Sequence, residues 1–267
     1  WEGIRLYNGR WAFIDEHIAR LFEAAKAIDV DIRMTPEQVI SAVTDTQSAN
    51  GMQTDVHARL MVTRGVKTRP FQHPKLSERG PTMVIIMEHS RPKLPRPIRL
   101  ATVPHMRGLP MTQDPKLNSH SKLNCILACI AAEKAGADEA LMLDVHGFVN
   151  TTNACNFFIV RRGQVWTSTG DYCMNGITRG KVIDLCKANG IPAFERNFSL
   201  VDVYSADEAF LTGTFGAQTP VGMIDGRVED SFTACSFFAR PQRAMSNWCG
   251  PWLPVSPLPN SQFQCQL

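Results

Sequence analysis

The 267-residue chain is 44% hydrophobic and 20% charged, and 28 basic against 25 acidic residues leave a formal net charge of +3. That is an ordinary globular composition, long enough for one large or two modest domains around a sizeable core. The charges are mixed, without a basic block or aromatic-basic interleaving, which argues against nucleic acid and leaves room for a small anionic ligand.

In chain order, WEGIRLY reads as a short strand, Asn8-Gly9 as a turn, and Ile14 to Ile28 as a helix with Ile14, Ile18, Leu21, Phe22, Ala25 and Ile28 on one face. A second short helix is expected between Pro36 and Val43. Two apolar, partly alternating stretches, His57 to Val66 and Thr82 to Glu88, read as paired strands separated by a loop over 67–81. Six prolines between Pro92 and Pro115 mark an extended connector around one strand, IRLATV. A helix from Leu123 to Ala135 stops at Gly136, and EALMLDVHGFV turns over at Val145 to Gly147. NFFIVRRGQVWTS follows, then a helix from Thr178 to Ala188 that stops at Asn189-Gly190, then a strand, EAFLTGTF. From about Phe232 the chain loses all periodicity and reads as an irregular tail.

No stretch reaches the roughly 20 apolar residues of a membrane helix. WEGIRLYNGR lacks the order of a signal peptide, so the expected compartment is the cytosol. The eight cysteines show no CxxC pair and read as reduced thiols. Cys125 and Cys129 share a helix face without flanking histidines, which favours packing over a metal site.

Three short features acquire meaning together: Arg20 on the first helix, Gly-Ile-Thr-Arg at 176–179 opening a helix, and Thr-Gly-Thr at 212–214 after a strand. Singly they are a solvated helix face, a cap and a turn. Together they describe a phosphate cradle. Ile177 and Thr178 offer backbone N–H groups at the positive end of a helix, Gly213 permits close backbone approach, the Thr214 hydroxyl can donate, and Arg20 supplies the charge.

The order of WEGIRLYNG, EHIARLFEAAK, VTRG, AGADEALMLD, GITRGKVIDL, ADEAFLTGTFGAQTPV and IDGR resembles the fold type IV pyridoxal-phosphate enzymes, the branched-chain and D-amino-acid aminotransferases and aminodeoxychorismate lyase, over about residues 1–230. The resemblance implies an α+β, two-domain D-amino-acid-aminotransferase-like fold with the cofactor, pyridoxal 5'-phosphate, in the interdomain cleft, and a homodimer. It places a smaller domain at 1–103, a connector at 104–116, the cofactor-binding domain at 117–231 and the tail at 232–267. It makes Arg20, Ile177, Thr178, Gly213 and Thr214 the phosphate grip. Arg64 in VTRG is similar to an arginine that some members use for a substrate carboxylate, and it reads equally well as a strand-end arginine paired with an acid.

Two positions depart from the family. The Schiff-base lysine is expected 18 residues before Gly136, and that position is Asn118, whose carboxamide is not a usable amine nucleophile. Lys122, four residues on and one helical turn away if the helix has begun, is the candidate replacement, against the reading of a surface lysine near a helix start; Lys116 is a weaker one. Where the family has Glu-Gly at the pyridine nitrogen, this chain has Thr151-Thr152, and a hydroxyl cannot hold that nitrogen protonated as a carboxylate does. The leading expectation is an aminotransferase acting on an amino acid and a 2-oxo acid. The alternatives are a lyase of the aminodeoxychorismate type and a non-catalytic paralogue that keeps the cradle. No metal is expected.

Overall fold

In the computed structural model, residues 1–90 and 96–228 are described. Pro92, Pro95 and the tail expected at 232–267 lie outside the described residues.

The N-terminal layer is built from β1 (Glu2–Tyr7), β2 (Arg10–Trp11), α1 (Ile14–Ala27), α2 (Pro36–Ala49), β3 (Val56–Thr63) and β4 (Thr82–His89), with sheet order β2-β1-β3-β4. Asn8 and Gly9 both have positive φ, 47° and 75°. A two-residue hairpin needs that pair of left-handed residues to match the twist of its strands. The expected apolar face of α1 is what packs: Ile18, Leu21 and Ala25 meet Ile4 and Leu60 of the sheet and Val39 and Val43 of α2. α2 runs six residues beyond the expected end at Val43. Its last turns are polar, yet Gln47 is buried, and Thr44 and Thr46 hydroxyls bond back to the carbonyls of Ile40 and Ala42 at 3.0 and 2.7 Å. β3 and β4 pair antiparallel, as expected.

The larger layer comprises β5 (Ile98–Thr102), α3 (Pro110–Gln113), α4 (Leu123–Lys134), β6 (Glu139–Leu143), β7 (Val149–Thr152), β8 (Asn156–Arg161) and β9 (Gln164–Thr167). It continues with α5 (Ile177–Ala188), β10 (Ala193–Glu195), α6 (Leu200–Tyr204), β11 (Glu208–Gly213), β12 (Ala217–Ile224) and β13 (Arg227–Val228). The strand order is β10-β9-β8-β11-β12-β5-β6-β7, and β7 pairs β8 as well as β6. The strands β8, β11, β12, β5, β6 and β7 therefore close into a ring. Leu100, Leu141, Phe157, Leu211 and Val221 fill it, with Phe198 and Val203. α5 covers the outside through Val182 and Leu185 against Phe158 and Phe210, whose rings stack at 5.0 Å. α4 covers it elsewhere through Ala128 and Ala132 against Ala140 and Met142.

β5 corrects the strand allocation read from the sequence. It sits between β12 and β6 in the large sheet rather than with residues 1–103, so the chain changes sheets between His89 and Ile98. The prolines of the connector masked that change by making the whole segment look uniform.

Candidate functional site

The outer face of the ring carries a row of polar residues between α4 and α5. Register pairs Thr151 with Asn156 and Asn156 with Thr212, and Thr212 with Gln218. These residues alternate with the ring-filling ones, so strand geometry alone sends them outward. Asn156 Nδ2 donates to the Met174 carbonyl at 2.9 Å. A Cβ at Gly176 would lie 2.3 Å from Asn156 Oδ1, so only glycine lets the chain enter α5 this close to the sheet.

α5 begins at Ile177 with Gly176 as its N-cap and no side-chain cap. Its first-turn N–H groups at Ile177 and Thr178 thus keep their donors for an anion. Arg20, on α1 of the other layer, reaches this point: its Nη1 meets the Asn175 carbonyl at 3.4 Å. Gly213 ends β11, where a Cβ would meet Cys155 Sγ at 3.3 Å, and the Thr212 hydroxyl, paired in register with Asn156, is buried without a hydrogen-bond partner among the described residues. The structure thus brings Arg20 to the start of α5, where Ile177 and Thr178 open the helix.

Arg20 does not stand free. Its Nε and Nη2 donate to Glu2 at 2.9 and 2.7 Å, and His17 Nδ1 lies 2.7 Å from the same carboxylate. Burial opposes ionisation of Glu2, but the bonds from His17 and Arg20 outweigh it and hold the carboxyl below its ordinary range.

Asn118 faces the same end of β1. Its Nδ2 donates to the Trp1 carbonyl at 2.6 Å, its own carbonyl accepts from Trp1 N at 2.9 Å, and it is 7% exposed. Lys122 caps α4, which starts only at Leu123. The condition under which Lys122 would share a helix face with Asn118 is therefore not met, because residues 118–121 are irregular and α4 begins at Leu123, as expected. Lys122 is half-buried. Burial pushes its amine down, Cys125 opposes this, and the charges of Arg107 and Arg20 add to it. Lys116 is exposed.

Thr151 lies on the polar row, with its hydroxyl donated to the Cys155 carbonyl at 2.6 Å. Thr152 does not join it. It pairs with Leu141 on the ring's inner face and donates to Glu139 at 2.6 Å. The ordinary alternation of β7 sets these adjacent threonines on opposite faces. Burial raises the Glu139 carboxyl despite bonds from Thr152 and Cys155. Arg64 also lies elsewhere: its guanidinium donates to the carbonyls of Ile28 and Asp29, just past the end of α1, whereas Arg20 lies two helical turns earlier. Its partners are backbone carbonyls, not the acid that its structural reading assumed.

Sequence reading passed over Arg59 on β3. Its guanidinium lies 4.2 Å over the Trp1 ring and 3.3 Å from His120 Nε2, beside Asn118. Its signal was the alternation of β3, which puts it two residues from His57 on one strand face. Among the described residues no group of acids, histidines or cysteines could hold a metal. Cys129 is exposed, and the half-buried Cys125 accepts from Arg107.

A two-layer α+β fold, in which an arginine of one layer meets an uncapped helix N-terminus of the other, defines the class of protein by its architecture. The match is more particular: residues 1–224 fit the family described as amino-transferase class IV, and the chain belongs to it. The family is pyridoxal-phosphate dependent. The branched-chain-amino-acid aminotransferase-like protein 2 of Arabidopsis thaliana is 39% identical over 230 residues, which are 85% of this chain and 41% of the relative. This chain therefore spans about two fifths of the length of that relative. The D-alanine aminotransferase of Listeria monocytogenes is 33% identical over 232 residues, 85% of this chain and 78% of the enzyme. Among solved structures, the branched-chain aminotransferase of Thermoproteus uzoniensis with norvaline superimposes with a TM-score of 0.76 at 31% identity, covering 90% of this chain and 83% of that one.

Proposed function

We propose that this chain holds pyridoxal 5'-phosphate and moves an amino group between an amino acid, branched-chain or D, and a 2-oxo acid. The observation that carries the reading is the arrival of Arg20 at the uncapped start of α5, from the opposite layer. The residues present fit the cofactor's phosphate, because donors converge and the glycines at 176 and 213 keep side chains out. Arg20 and the N–H groups of Ile177 and Thr178 would hold the phosphate, with Gly213 and Thr214 closing the cradle. Thr151 would face the ring. The bound group supplies an electron sink for carbanion character at the substrate Cα.

The chain's own part is positioning and proton transfer. Lys122, the candidate for the missing lysine, carries an amine that burial shifts toward the neutral form, as a base near pH 7 requires. Arg59 is the cation placed to orient a substrate carboxylate beside Asn118; Arg64 would reach a substrate only from its different position at the end of α1. Titration with pyridoxal phosphate followed by fluorescence tests the cradle, and borohydride reduction with peptide mapping tests Lys122. Tight binding with the label on Lys122 supports the reading, and no binding to the intact chain overturns it.

Non-catalytic retention of the cofactor is favoured by one specific feature. Both departures from the family are built into the fold, Asn118 through Trp1 and Thr151 through Cys155. Binding without any label on lysine would select it. A cytosolic compartment agrees with five free cysteines among the described residues, and no described helix is long and apolar enough to cross a membrane. Homodimer formation is supported by the exposed Leu123, Ile126, Leu127 and Ile130 of α4, an apolar stripe that a second copy would cover.

A further inference from the structure

A hollow of about 310 Å³, at the lower end of what small-ligand sites enclose, lies between the chain that follows α1 and the loop that joins β3 to β4. Three cations, Arg33, Arg64 and Lys75, and two acids, Asp29 and Asp31, help to line it. Its walls use backbone conformations that are rare elsewhere. Asp29 and Arg33 both take positive φ, 55° and 58°, which residues with a Cβ seldom adopt, and Asp31 holds the second of them by accepting from the Arg33 N–H at 2.9 Å. On the facing loop, a Cβ at Gly65 would run into the Gly80 carbonyl, and one at Gly80 would lie 2.5 Å from Arg33 Nη1. Glycine at both positions lets the loop close on itself and the guanidinium lie against it.

Charge is gathered here without being neutralised. None of these five charged side chains forms an ion pair among the described residues. Arg64 gives both Nη groups to the carbonyls of Ile28 and Asp29, so it supplies a fixed positive charge rather than a free fork. Arg33 and Lys75 keep their side-chain donors, since the bonds that each makes among the described residues use only its backbone N–H. A dianion answers both free cations, where a monoanion leaves one unanswered. Asp31 has one oxygen committed to Arg33; its other oxygen and the Asp29 carboxylate can only accept, so they suit a ligand that carries hydroxyl donors. Pro74 and Pro81 add rigid walls without an N–H to compete for those acceptors.

We infer that this hollow binds a small sugar phosphate, its phosphate between Arg33 and Lys75 in the field of Arg64 and its hydroxyls on Asp29 and Asp31. The site goes beyond the aminotransferase reading. Its residues belong to the α1–α2 connection and the β3–β4 loop, and it shares none with the cradle, with the polar row or with the wall that holds Lys122. Arg64, which the family resemblance links to a substrate carboxylate, serves here as a charge fixed at the end of α1.

The test is calorimetric titration of ribose 5-phosphate into the full chain saturated with pyridoxal phosphate, which keeps the probe out of the cradle. Binding to the parent chain is expected. Ribose gives no heat, and inorganic phosphate binds about tenfold more weakly than the ester, for want of hydroxyls to meet the acids. Arg33→Asn, chosen because asparagine tolerates a left-handed backbone, and Lys75→Gln each weaken binding about tenfold through the loss of a charge-assisted bond. Arg33→Lys retains part of the affinity, and Arg20→Gln changes nothing. Absence of binding to the parent, equal affinity for ribose or for inorganic phosphate, or full affinity in Arg33→Asn or in Lys75→Gln overturns the assignment. Binding lost in Arg20→Gln with Arg33 intact overturns it as well, by placing the probe in the cradle. Lys75 is exposed on the turn Pro74–Leu76, so Lys75→Gln gives the answer even where Arg33→Asn fails to fold.

Discussion

Glu2 is the residue on which the cradle's charge balance turns. It is 1% exposed and meets both Arg20 and His17, so Arg20→Met leaves a buried carboxylate with one partner fewer. The expected loss is about 1–3 kcal/mol in denaturant melts, with weaker cofactor binding. The pH dependence has a definite sign. The Glu2 carboxyl is held below its ordinary value by bonds that outweigh burial, so its stabilisation is present above about pH 4.3, the unfolded value, and is lost as pH falls through the lower folded value. Glu2→Gln should therefore flatten the acid limb of a stability-pH curve; an unchanged limb would show that other carboxylates govern it. Asn118→Lys asks a different question at the same place. The new amine loses the Trp1 carbonyl bond, and if the cradle is intact the mapped label moves to residue 118. Arg20 and the turns at 176 and 213 were legible in the sequence because each has local chemistry. The diversion of Arg64 to the end of α1 and the turning-in of Thr152 were not, since both depend on a neighbour remote in the chain.

Elements follow the sequence wherever a periodic face and a stop signal coincide. α1, α4 and α5 begin and end within a residue or two of their expected bounds, and Gly136 and Gly190 take positive φ of 73° and 66° as helix stops require. α2 outruns its expected end because its polar second half hides the periodicity that Val39, Val43 and Gln47 complete. α6 is too short for any period to show. The start of α2 rests on a capping box, Thr35 accepting from the Gln38 N–H at 3.3 Å while Gln38 Oε1 accepts from the Thr35 N–H at 2.8 Å. Thr35→Ala should cost about 1 kcal/mol. Thr35→Ser should cost much less, which equilibrium unfolding of the two variants resolves. A similar loss in both would mean that the cap contributes nothing beyond its backbone geometry.

For the molecule as a whole, the cleft is held by polar ties between layers that differ in depth. Arg5, 5% exposed on β1, donates to the Ser90 carbonyl at 2.6 Å and to the Phe215 carbonyl in the loop after Gly213 at 3.3 Å. Its side chain also lies 5.7 Å from the Phe215 ring. Lys181 of α5 meets Glu16 of α1 at 2.7 Å, with the glutamate 44% exposed. The two ties span similar gaps, and solvent decides their worth. Water screens the Lys181–Glu16 pair, so Glu16→Gln should change stability by no more than about 1 kcal/mol. Arg5→Met strands two carbonyls and should cost about 1–3 kcal/mol. It also releases the loop that carries Thr214, so cofactor affinity should fall in Arg5→Met while Glu16→Gln binds as the parent does. Paired unfolding and titration of both variants checks this. Equal effects would mean that the layers are held by their apolar packing and that the loop carrying Thr214 needs no tether from β1.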